Sequence, residues 1–486
     1  MFYHMTDLSA NRHPVTVIEG DGVGPEVVGA ALMLMDATGV SLECEFAEAG
    51  GRAFERGIVS GVPRETLESI ERNQVVLKGP LATPIAEGGK SANVTLRKVF
   101  ETFANIRPAR ELPGIPTPYA GRGVDMVIVR ENVEDLYAGI EHMQTPNVAQ
   151  CLKLVSRLGS RRIAHAGLAL AEAQDRTRVT VATKANIMKL TEGLFKREFE
   201  SAALDYPNLD ADHMLIDNCA HQMVIRPEQF DVIVTTNMNG DILSDLASGL
   251  VGGLGFAPSA NLGYDVAMFE AVHGTAPDIA GTDQVNPTAM ILSAVMMLRH
   301  LSEFTAAEQL EQALYRTLEQ GIHTPDVPGD SPLGTRAFAR AVAENLGETS
   351  SVPSRRHQDL KMPMLLNGDV DMSPGSRTKV GVDVFIETTE SPARVAERLQ
   401  AATADTSFSL QMLSNRGTQV WPDPGNTPSC VDHYRCRFTF DNSNAWTDSA
   451  VVDLLQSVAP HYRWMHVEKL EEHDGAASFT RAQGQN

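Results

Sequence analysis

The chain has 486 residues, of which 62 are acidic and 41 are basic, so its formal net charge is −21. This charge disfavours nucleic acids and anionic membrane surfaces as partners, because both attract basic patches. The length indicates two or three domains, and no stretch of sequence approaches the about 18 consecutive apolar residues of a membrane span.

The N-terminal segment and the cysteines indicate the compartment. Residues 1–14, MFYHMTDLSANRHP, contain neither the apolar core of a secretory signal nor an Arg- and Ser-rich transit pattern. The five cysteines are scattered without CxxC spacing, which is typical of reduced thiols rather than of disulfides or a zinc site. We therefore expect a cytoplasmic protein.

The predicted elements of the longer N-terminal part alternate between strands and helices. Short apolar runs predict strands at 14–19, 75–78, 125–130, 178–183, 213–216 and 231–235. A helical pattern covers 26–38, and residues 285–346 are expected to be helical around an irregular stretch at 320–334. This alternation predicts an α/β architecture, in which ligands bind beyond the carboxyl ends of the strands.

A change of composition divides the chain. Residues 347–379 are rich in Ser, Pro, Gly and Asp, which is typical of a linker. Residues 380–486 follow the order strand, helix, strand or hairpin, strand, helix, strand, which is close to a βαββαβ ferredoxin-like unit. We therefore expect a first region over 1–346, a linker over 347–379 and a C-terminal α+β domain over 380–486.

A glycine-rich segment, GDGVGP at 20–25, follows the first predicted strand. Its glycines are typical of a loop that holds phosphate, but the spacing is not that of the dinucleotide fingerprint G-x-G-x-x-G. A tight turn from strand to helix explains the same residues, and this is the interpretation that we favour.

Three arginines from separate predicted elements are candidates for binding a polyanion. Arg97 ends the segment SANVTLR, Arg107 follows in NIRPAR, and Arg130 ends the strand DMVIVR. Each alone is typical of a surface residue, but together they can bind several carboxylates, because a guanidinium group pairs with a carboxylate through two hydrogen bonds. Ser91 and Asn93 can bind one more carboxylate, although Ser91 is also well placed to cap a helix.

Three aspartates form the most informative group. Asp217 is expected to end a strand, and Asp241 and Asp245 lie one helical turn apart in NGDILSDLA. Clustered carboxylates suit Mg²⁺ or Mn²⁺, which prefer oxygen ligands. The alternative is that they stabilise helix N-termini through the helix dipole.

Tyr137, in ENVEDLYAG, and Lys184, in TKANIMK, are candidates for acid–base chemistry. A tyrosine and a lysine beside an anionic site can exchange protons with a hydroxyl group and a carbanion.

The loop HGTAPDIAG at 273–281 contains Gly and Pro at several positions, so its backbone can approach a cofactor closely. Its Asp278 can accept hydrogen bonds from a ribose and repel a 2′-phosphate.

Together these segments resemble the β-decarboxylating dehydrogenase family, which includes isocitrate and 3-isopropylmalate dehydrogenases. The resemblance runs from about residue 14 to about residue 345 and is most specific at 237–263, 269–281 and 130–139. It implies an α/β sandwich distinct from the Rossmann fold, with a large discontinuous subdomain, a small subdomain, and an active site shared across a homodimer.

The resemblance also implies roles for individual residues, with Lys184 and Asp217 supplied by the partner subunit. It implies substrate binding by Ser91, Asn93, Arg97, Arg107 and Arg130, catalysis by Tyr137 and Lys184, metal binding by Asp217, Asp241 and Asp245, and cofactor contacts by Lys78, Thr83, Asn186, His273, Gly274, Thr275, Ala276, Asp278, Ile279 and Asn286.

Two segments narrow the expected activity. The pattern S-x-N-V-x-L-R is similar to the isocitrate branch, and Asp278 with Ile279 is similar to NAD-using members. We therefore expect NAD-dependent oxidative decarboxylation of isocitrate to 2-oxoglutarate and CO₂ with Mg²⁺ or Mn²⁺, in a homodimer or a tetramer. The C-terminal unit resembles the extra domain of long bacterial isocitrate dehydrogenases. The alternatives are the same chemistry on isopropylmalate or homoisocitrate, and a non-catalytic regulatory subunit.

Overall fold

The computed structural model describes residues 12–82, 91–355, 357–366, 375–426, 428–440 and 447–484. These residues divide into two compact units. The first unit comprises Met1–Ala138 and Lys153–Val370, and the second comprises Gly139–Leu152 and Asp371–Asn486. Within the described residues, no helix is both long enough and apolar enough to cross a lipid bilayer.

The first unit is built on one large sheet flanked by helices. Its strands are β1 (His13–Ile18), β2 (Leu42–Phe46), β3 (Val75–Lys78), β4 (Ala104–Arg110), β5 (Asp125–Glu131), β8 (Arg178–Thr183), β9 (Asp210–Leu215), β10 (Val232–Thr235), β11 (Pro258–Leu262) and β12 (Ala267–Ala271), while β6 (Glu141–Thr145) and β7 (Val148–Cys151) form a hairpin in the second unit.

Most helices of the first unit follow a strand directly. They are α1 (Gly24–Ala37), α2 (Gly51–Glu55), α3 (Arg64–Asn73), α4 (Ala92–Val99), α5 (Arg157–Ala173), α6 (Thr191–Ala203), α7 (Ile216–Ile225), α8 (Asn237–Leu250), α9 (Thr288–His300), α10 (Phe304–Glu319) and α11 (Thr335–Glu344), with single 3₁₀ turns at Leu136–Ala138, Pro227–Gln229, Leu254–Phe256 and Pro277–Ile279.

The sheet is mixed, which confirms the predicted α/β fold and separates it from an all-parallel one. The strand order is β2-β1-β3-β12-β11-β4-β5-β10-β8-β9. Strand β11 runs antiparallel to both neighbours, and β4 pairs antiparallel with β5. Strands such as β3, β10 and β12 are buried along their whole length. They therefore lack the alternation of polar and apolar residues that marks a strand with one solvated face.

One predicted strand end is wrong. We expected Asp217 to end a strand, but β9 ends at Leu215 and α7 begins at Ile216, so Asp217 lies in the first turn of the helix. The apolar residues after it, Cys219 and Met223, are buried at helical spacing, and this packing extends the helix back through Asp217. A carboxylate in a first helical turn is also favoured by the helix dipole.

The second unit contains an antiparallel sheet with two helices. Its elements after the hairpin are β13 (Arg377–Glu387), α12 (Pro392–Ala402), β14 (Phe408–Asn415), β15 (Thr418–Trp421), β16 (His433–Phe440), α13 (Asp448–Val458), β17 (Arg463–His473) and β18 (Ala476–Ala477). The order β15-β14-β16-β13-β17-β18 contains the ferredoxin-like arrangement, with two short strands added at the edges. Side chains from both helices and the central strands share one apolar core.

Candidate active site

The three predicted arginines meet in one pocket. Arg97 comes from the last turn of α4, Arg107 from β4 and Arg130 from the end of β5. They line a pocket of about 220 Å³ in the first unit. The predicted residues that share this lining are Ser91, Asn93, Tyr137, Asp241, His273 and Gly274. The spacing in sequence did not show this convergence, because each arginine belongs to a different element.

The three guanidinium groups are crowded, and those of Arg107 and Arg130 are buried. Arg130 is 1% exposed, and its pKa is lowered to about 10 by burial and by the neighbouring Arg107 and Arg97. Burial and Arg97 also lower the pKa of Arg107. Arg107 donates to Ser244 Oγ at 2.6 Å and lies 3.3 Å from Asp241. Three cations held this close together cost free energy that a polyanionic ligand can offset.

Several polar atoms that face this pocket have no partner. Asn93 Oδ1, Arg97 Nε, Arg107 Nε and His273 Nε2 are buried and make no hydrogen bond within the described residues. Buried polar atoms are normally paired, because an unpaired one costs about 1–3 kcal/mol. Four such atoms belong to residues that line one pocket. This is the pattern of a binding site in which a polar ligand supplies the missing hydrogen-bond partners.

Glu270 is a pocket residue that the sequence reasoning missed. It is the single acid in the buried strand AMFEA, and it pairs with Lys78 and with Arg97, the latter at 3.0 Å. These cations hold its pKa well below the ordinary value although burial acts against them. Lys78, predicted to contact the cofactor, is 1% exposed and is paired with Glu270. An acid inside an otherwise apolar strand was the signal available in the sequence.

Tyr137 is held against the acidic side of the pocket. Its hydroxyl donates to Asp241 Oδ2 at 2.6 Å, and the Arg130 guanidinium lies 5.0 Å from its ring centroid. Burial and the hydrogen bond to Asp241 raise the pKa of the phenol. The phenol therefore keeps its proton at neutral pH and can act as an acid toward a bound ligand.

The three aspartates do not come together in one chain. Asp241 and Asp245 lie one turn apart on α8, and both approach Arg107, at 3.3 and 3.5 Å. Asp217 instead pairs with Lys184 at 3.0 Å. Among the described residues, no three His, Cys, Asp or Glu side chains converge as a metal site. The pair on α8 fits a hard divalent cation by its chemistry, and Asp217 does not join that pair within one chain.

Lys184 is positioned by a second acid that the sequence reasoning missed. The carboxylate of Glu192, which is fully buried, accepts a hydrogen bond from the backbone N–H of Lys184 at 3.0 Å. The other oxygen of Glu192 pairs with Lys153 at 2.8 Å. The Lys184 ammonium therefore extends from a rigid backbone toward Asp217 and solvent.

The predicted cofactor loop is fastened to the glycine-rich turn. The carbonyl of Thr275 accepts a hydrogen bond from Val23 N–H at 2.9 Å. A Cβ atom on Gly22 would lie 1.9 Å from that carbonyl oxygen, so only glycine fits, and Gly22 also has φ +58°. The structure thus supports the turn interpretation of GDGVGP. The Glu26 carboxylate accepts from the N–H groups of Gly281 and Asp283 and fixes the far end of the loop.

The remaining predicted cofactor residues have different surroundings. Asn286 is buried, donates to Asp326 at 3.0 Å and accepts from Thr288 N–H at 2.9 Å, so its amide is occupied within the protein. Asn186 is exposed. In the loop, Ala276 adopts φ +38°, and Asp278 is exposed while Ile279 is half-buried. Thr83 lies outside the described residues.

Two family models match the chain. The model described as isocitrate/isopropylmalate dehydrogenase matches residues 14–342. The model described as the bacterial isocitrate dehydrogenase C-terminal domain matches residues 377–485.

Curated relatives resemble nearly the whole chain. A protein of Thermus thermophilus named isocitrate dehydrogenase [NADP] is 55% identical over 99% of this chain and 97% of its own length. A protein of Rickettsia felis with the same name is 36% identical over 97% of this chain and 99% of its own length. An isocitrate/homoisocitrate dehydrogenase of Thermus thermophilus is 48% identical over 68% of this chain and 98% of its own length.

Solved structures agree with this likeness. The crystal structure of the TT0538 protein from Thermus thermophilus superposes with a TM-score of 0.95 at 55% identity and covers 99% of this chain and 97% of that one. The isocitrate dehydrogenase from Methylococcus capsulatus gives a TM-score of 0.66 at 46% identity over 69% of this chain and 99% of that one.

These relatives correct the expected cofactor. The prediction of NAD is wrong, because the full-length relatives at 55% and 36% identity are named for NADP. The prediction assumed that Asp278 repels a 2′-phosphate inside a partly dehydrated pocket. The structure leaves Asp278 exposed, and charges in contact with water are screened and interact weakly.

Proposed function

Since the chain belongs to the isocitrate/isopropylmalate dehydrogenase family, whose model matches residues 14–342, we propose that it catalyses the NADP-dependent oxidative decarboxylation of isocitrate to 2-oxoglutarate and CO₂. The observation that carries the substrate assignment is the pocket lined by three arginines, two buried and one partly buried, with unpaired buried polar atoms. Isocitrate has three carboxylates and one hydroxyl group, and such a polyanion matches this set of donors.

Different residues of this chain bind different groups of the substrate. Arg97, Arg107 and Arg130 bind carboxylates, and Ser91 and Asn93 hydrogen-bond the carboxylate that isopropylmalate lacks. Burial of Arg107 and Arg130 limits their contact with water and strengthens their charge-assisted contacts. An apolar substituent of the substrate beside Asn93 would leave the buried Oδ1 of Asn93 without a partner, which disfavours isopropylmalate.

The proton transfers fall to Tyr137 and Lys184. Lys184 takes the proton from the 2-hydroxyl group, directly or through water. Tyr137 then gives its proton to C3 after CO₂ has left, and Asp241 keeps the phenol oriented through the 2.6 Å hydrogen bond. Asp241 and Asp245, with Asp217 of the partner subunit, would hold a Mg²⁺ or Mn²⁺ ion, which would supply Lewis acidity toward the substrate.

A homodimer with shared active sites accounts for the separation of the aspartates. Asp217 and Lys184 lie together, whereas Asp241 and Asp245 lie with the arginines. The helices that carry these carboxylates expose large apolar side chains, which favours burial against another subunit. These exposed side chains are Val224 and Ile225 on α7 and Met238 and Ile242 on α8.

Residues for the 2′-phosphate of NADP lie beside the cofactor loop. The N–H of Arg336, in the first turn of α11, donates to Asp283 at 3.0 Å and ties this helix to the loop. Arg336 and Arg340 are exposed and lie four residues apart, on one face of the helix. Two guanidinium groups there supply phosphate partners and offset the charge of Asp278. His273, with its unpaired Nε2, is available to the cofactor.

The domain limits are part of the proposal. Residues 1–346 form the dehydrogenase region, 347–379 the linker and 380–486 the C-terminal domain. The two family models, which end and begin at 342 and 377, support this division. The hairpin Gly139–Leu152 joins the second unit by contact, so the dehydrogenase region as drawn contributes to both units.

Rates measured for each combination of substrate and cofactor test the proposed activity. We expect kcat/KM to be highest with isocitrate and NADP when isocitrate, homoisocitrate and isopropylmalate are each assayed with NADP and NAD at saturating Mg²⁺. Homoisocitrate is included because the 48% identical relative is named for both substrates. Equal or better turnover of isopropylmalate would overturn the substrate assignment. An equal rate with NAD would overturn the cofactor assignment.

Mixing two inactive variants tests the shared site. Lys184→Met should abolish activity as a homodimer, and Asp245→Asn should leave little activity as a homodimer at a Mg²⁺ concentration that just saturates the wild type. Refolding the two variants together, or letting them exchange subunits, should restore part of the activity. One active site of the heterodimer then contains an intact Lys184 and an intact Asp245. No restoration in a mixture shown to contain heterodimers would place Lys184 in the same-chain site.

A further inference from the structure

The first unit contains a second cavity, which backs onto the active site. Its volume is about 360 Å³. It is lined by Ile106 and Pro108 of β4, Pro258 and Ala260 of β11, and Phe269 of β12. The intervening residues of the same strands, Arg107, Ser259 and Glu270, line the active-site pocket. Successive side chains of a strand point to opposite faces, so the two cavities lie on the two sides of three shared strands.

Apolar side chains line most of this cavity, and cationic side chains line one end of it. The helical wall comes from α5, α9 and α10 and includes Leu170, Leu292 and Val295. At the other end, Arg110, Arg176, Arg299 and Arg355 line the same space. Such a division between apolar surface and a few converging polar groups is typical of small-molecule sites of this size.

The four guanidinium groups share few carboxylates. The Asp125 carboxylate pairs with three of the guanidinium groups, those of Arg176 and Arg355 at 2.8 Å and that of Arg110 at 3.5 Å. Arg299 pairs with Glu311 at 2.7 Å, and Arg176 also reaches Asp231 at 3.4 Å. Each guanidinium has five N–H donors, so pairs of this kind leave donors for a further anion. Asp359 also lines the cavity, where it accepts from Ser302 at 3.1 Å.

The pKa of the His357 imidazole reflects the positive electrostatic potential at the arginine-lined end of the cavity. The imidazole lines the cavity, and burial together with the four arginines lowers its pKa to about 3. A neutral imidazole can donate a hydrogen bond to a carboxylate without adding charge. The potential that disfavours its protonation also favours an anionic ligand.

The outer wall is formed by the segment that follows the dehydrogenase helices. This covering segment consists of residues 352–355 and 357–366. It is fixed to the first unit at several points: Arg110 donates to Pro353 O at 2.9 Å, Gln358 N–H donates to Ala173 O at 3.0 Å, and Tyr264 donates to Pro363 O at 3.1 Å. The covering segment is therefore fixed to the first unit and forms part of the cavity wall, rather than being a free linker.

We propose that this cavity binds an amphipathic carboxylate, an organic acid with one carboxylate and an unbranched apolar body. The carboxylate lies among Arg355, Arg299 and His357, and the apolar chain lies between the sheet and α9. The active-site pocket differs in both respects, because it is small, polar and lined by groups for several carboxylates.

Calorimetric titration of the full-length protein with octanoate tests the proposal. We expect one octanoate per chain to bind in the presence of saturating isocitrate without cofactor, and octylammonium not to bind. Arg355→Ala should weaken octanoate binding about tenfold, since it removes a charge-assisted partner of the carboxylate. Arg162→Ala is the matched control. Arg162 donates to Leu365 O of the covering segment at 3.1 Å but does not line the cavity, so its loss should leave binding unchanged.

A second variant keeps the test independent of the arginine network. Met296 lines the cavity and is only partly buried, so Met296→Trp should fill the space without disrupting the core and should abolish octanoate binding. Displacement of octanoate by isocitrate would place it on the active-site arginines and overturn the proposal. Equal binding of octylammonium, or full binding by Met296→Trp with an unchanged thermal midpoint, would also overturn it.

Discussion

Removing the negative charge of Glu270 should destabilise the first unit strongly. The carboxylate is 7% exposed, and Lys78, its partner, is 1% exposed. The Glu270→Gln substitution keeps the shape but leaves the ammonium buried without a counter-charge. Breaking one side of a buried ion pair costs about 3–5 kcal/mol. We expect a loss of that size in the free energy of unfolding.

Two control variants separate this effect from a general sensitivity to charge. Glu68→Gln removes a carboxylate that lies 2.8 Å from Arg64 in a pair 88% and 52% exposed, and should cost less than about 1 kcal/mol. The double variant Lys78→Met with Glu270→Gln should be more stable than Glu270→Gln alone, because the buried ammonium is gone while the loss of the Arg97 partner is common to both variants.

The pH dependence gives a second check. Burial already lowers the pKa of Lys78, and removing Glu270 removes the largest opposing influence. In Glu270→Gln the folded protein should therefore release the Lys78 proton at a lower pH than the unfolded chain. The unfolded state then binds more protons, so stability should rise with pH up to the ordinary lysine range. The double variant should lack this rise.

Urea unfolding followed by two probes provides the assay. Far-UV circular dichroism reports both units, whereas the tryptophans that the structure describes, Trp421 and Trp464, lie in the second unit, and the third, Trp446, falls between them in the sequence. The dichroism transition of Glu270→Gln should move to lower urea, while the tryptophan transition should stay in place. A loss no larger than that of Glu68→Gln, or a double variant as unstable as the single one, would refute the reasoning.

Three further outcomes are expected. Asp245→Asn should raise the Mg²⁺ concentration needed for half-maximal rate by about tenfold or more, because an amide is a poorer ligand for a hard cation; an unchanged Mg²⁺ dependence would remove Asp245 from the metal site. Tyr137→Phe should slow the conversion of supplied oxalosuccinate to 2-oxoglutarate, since the phenol with the raised pKa is the proposed acid, and an unchanged rate would exclude that role. Arg336→Ala with Arg340→Ala should raise KM for NADP about tenfold while KM for isocitrate stays constant. An equal change in both constants would indicate a structural effect instead.

Much of the candidate site was readable from residue types and local spacing. Asp241 and Asp245 lie one turn apart on α8 as expected. The C-terminal order of strands and helices also gave the ferredoxin-like arrangement. These features depend on helix period, strand alternation and short motifs, all of which are local properties of the chain.

Other features were decided by contacts between residues far apart in the sequence. The pairing of Glu270 with Lys78 depends on the parallel register of β12 and β3, and the exposure of Asp278 depends on how its loop is fastened by Thr275 and Glu26. No local pattern encodes either one. The cofactor prediction failed for this reason: a motif gives the residue, but only tertiary packing sets the dielectric around it and thus the strength of its charge.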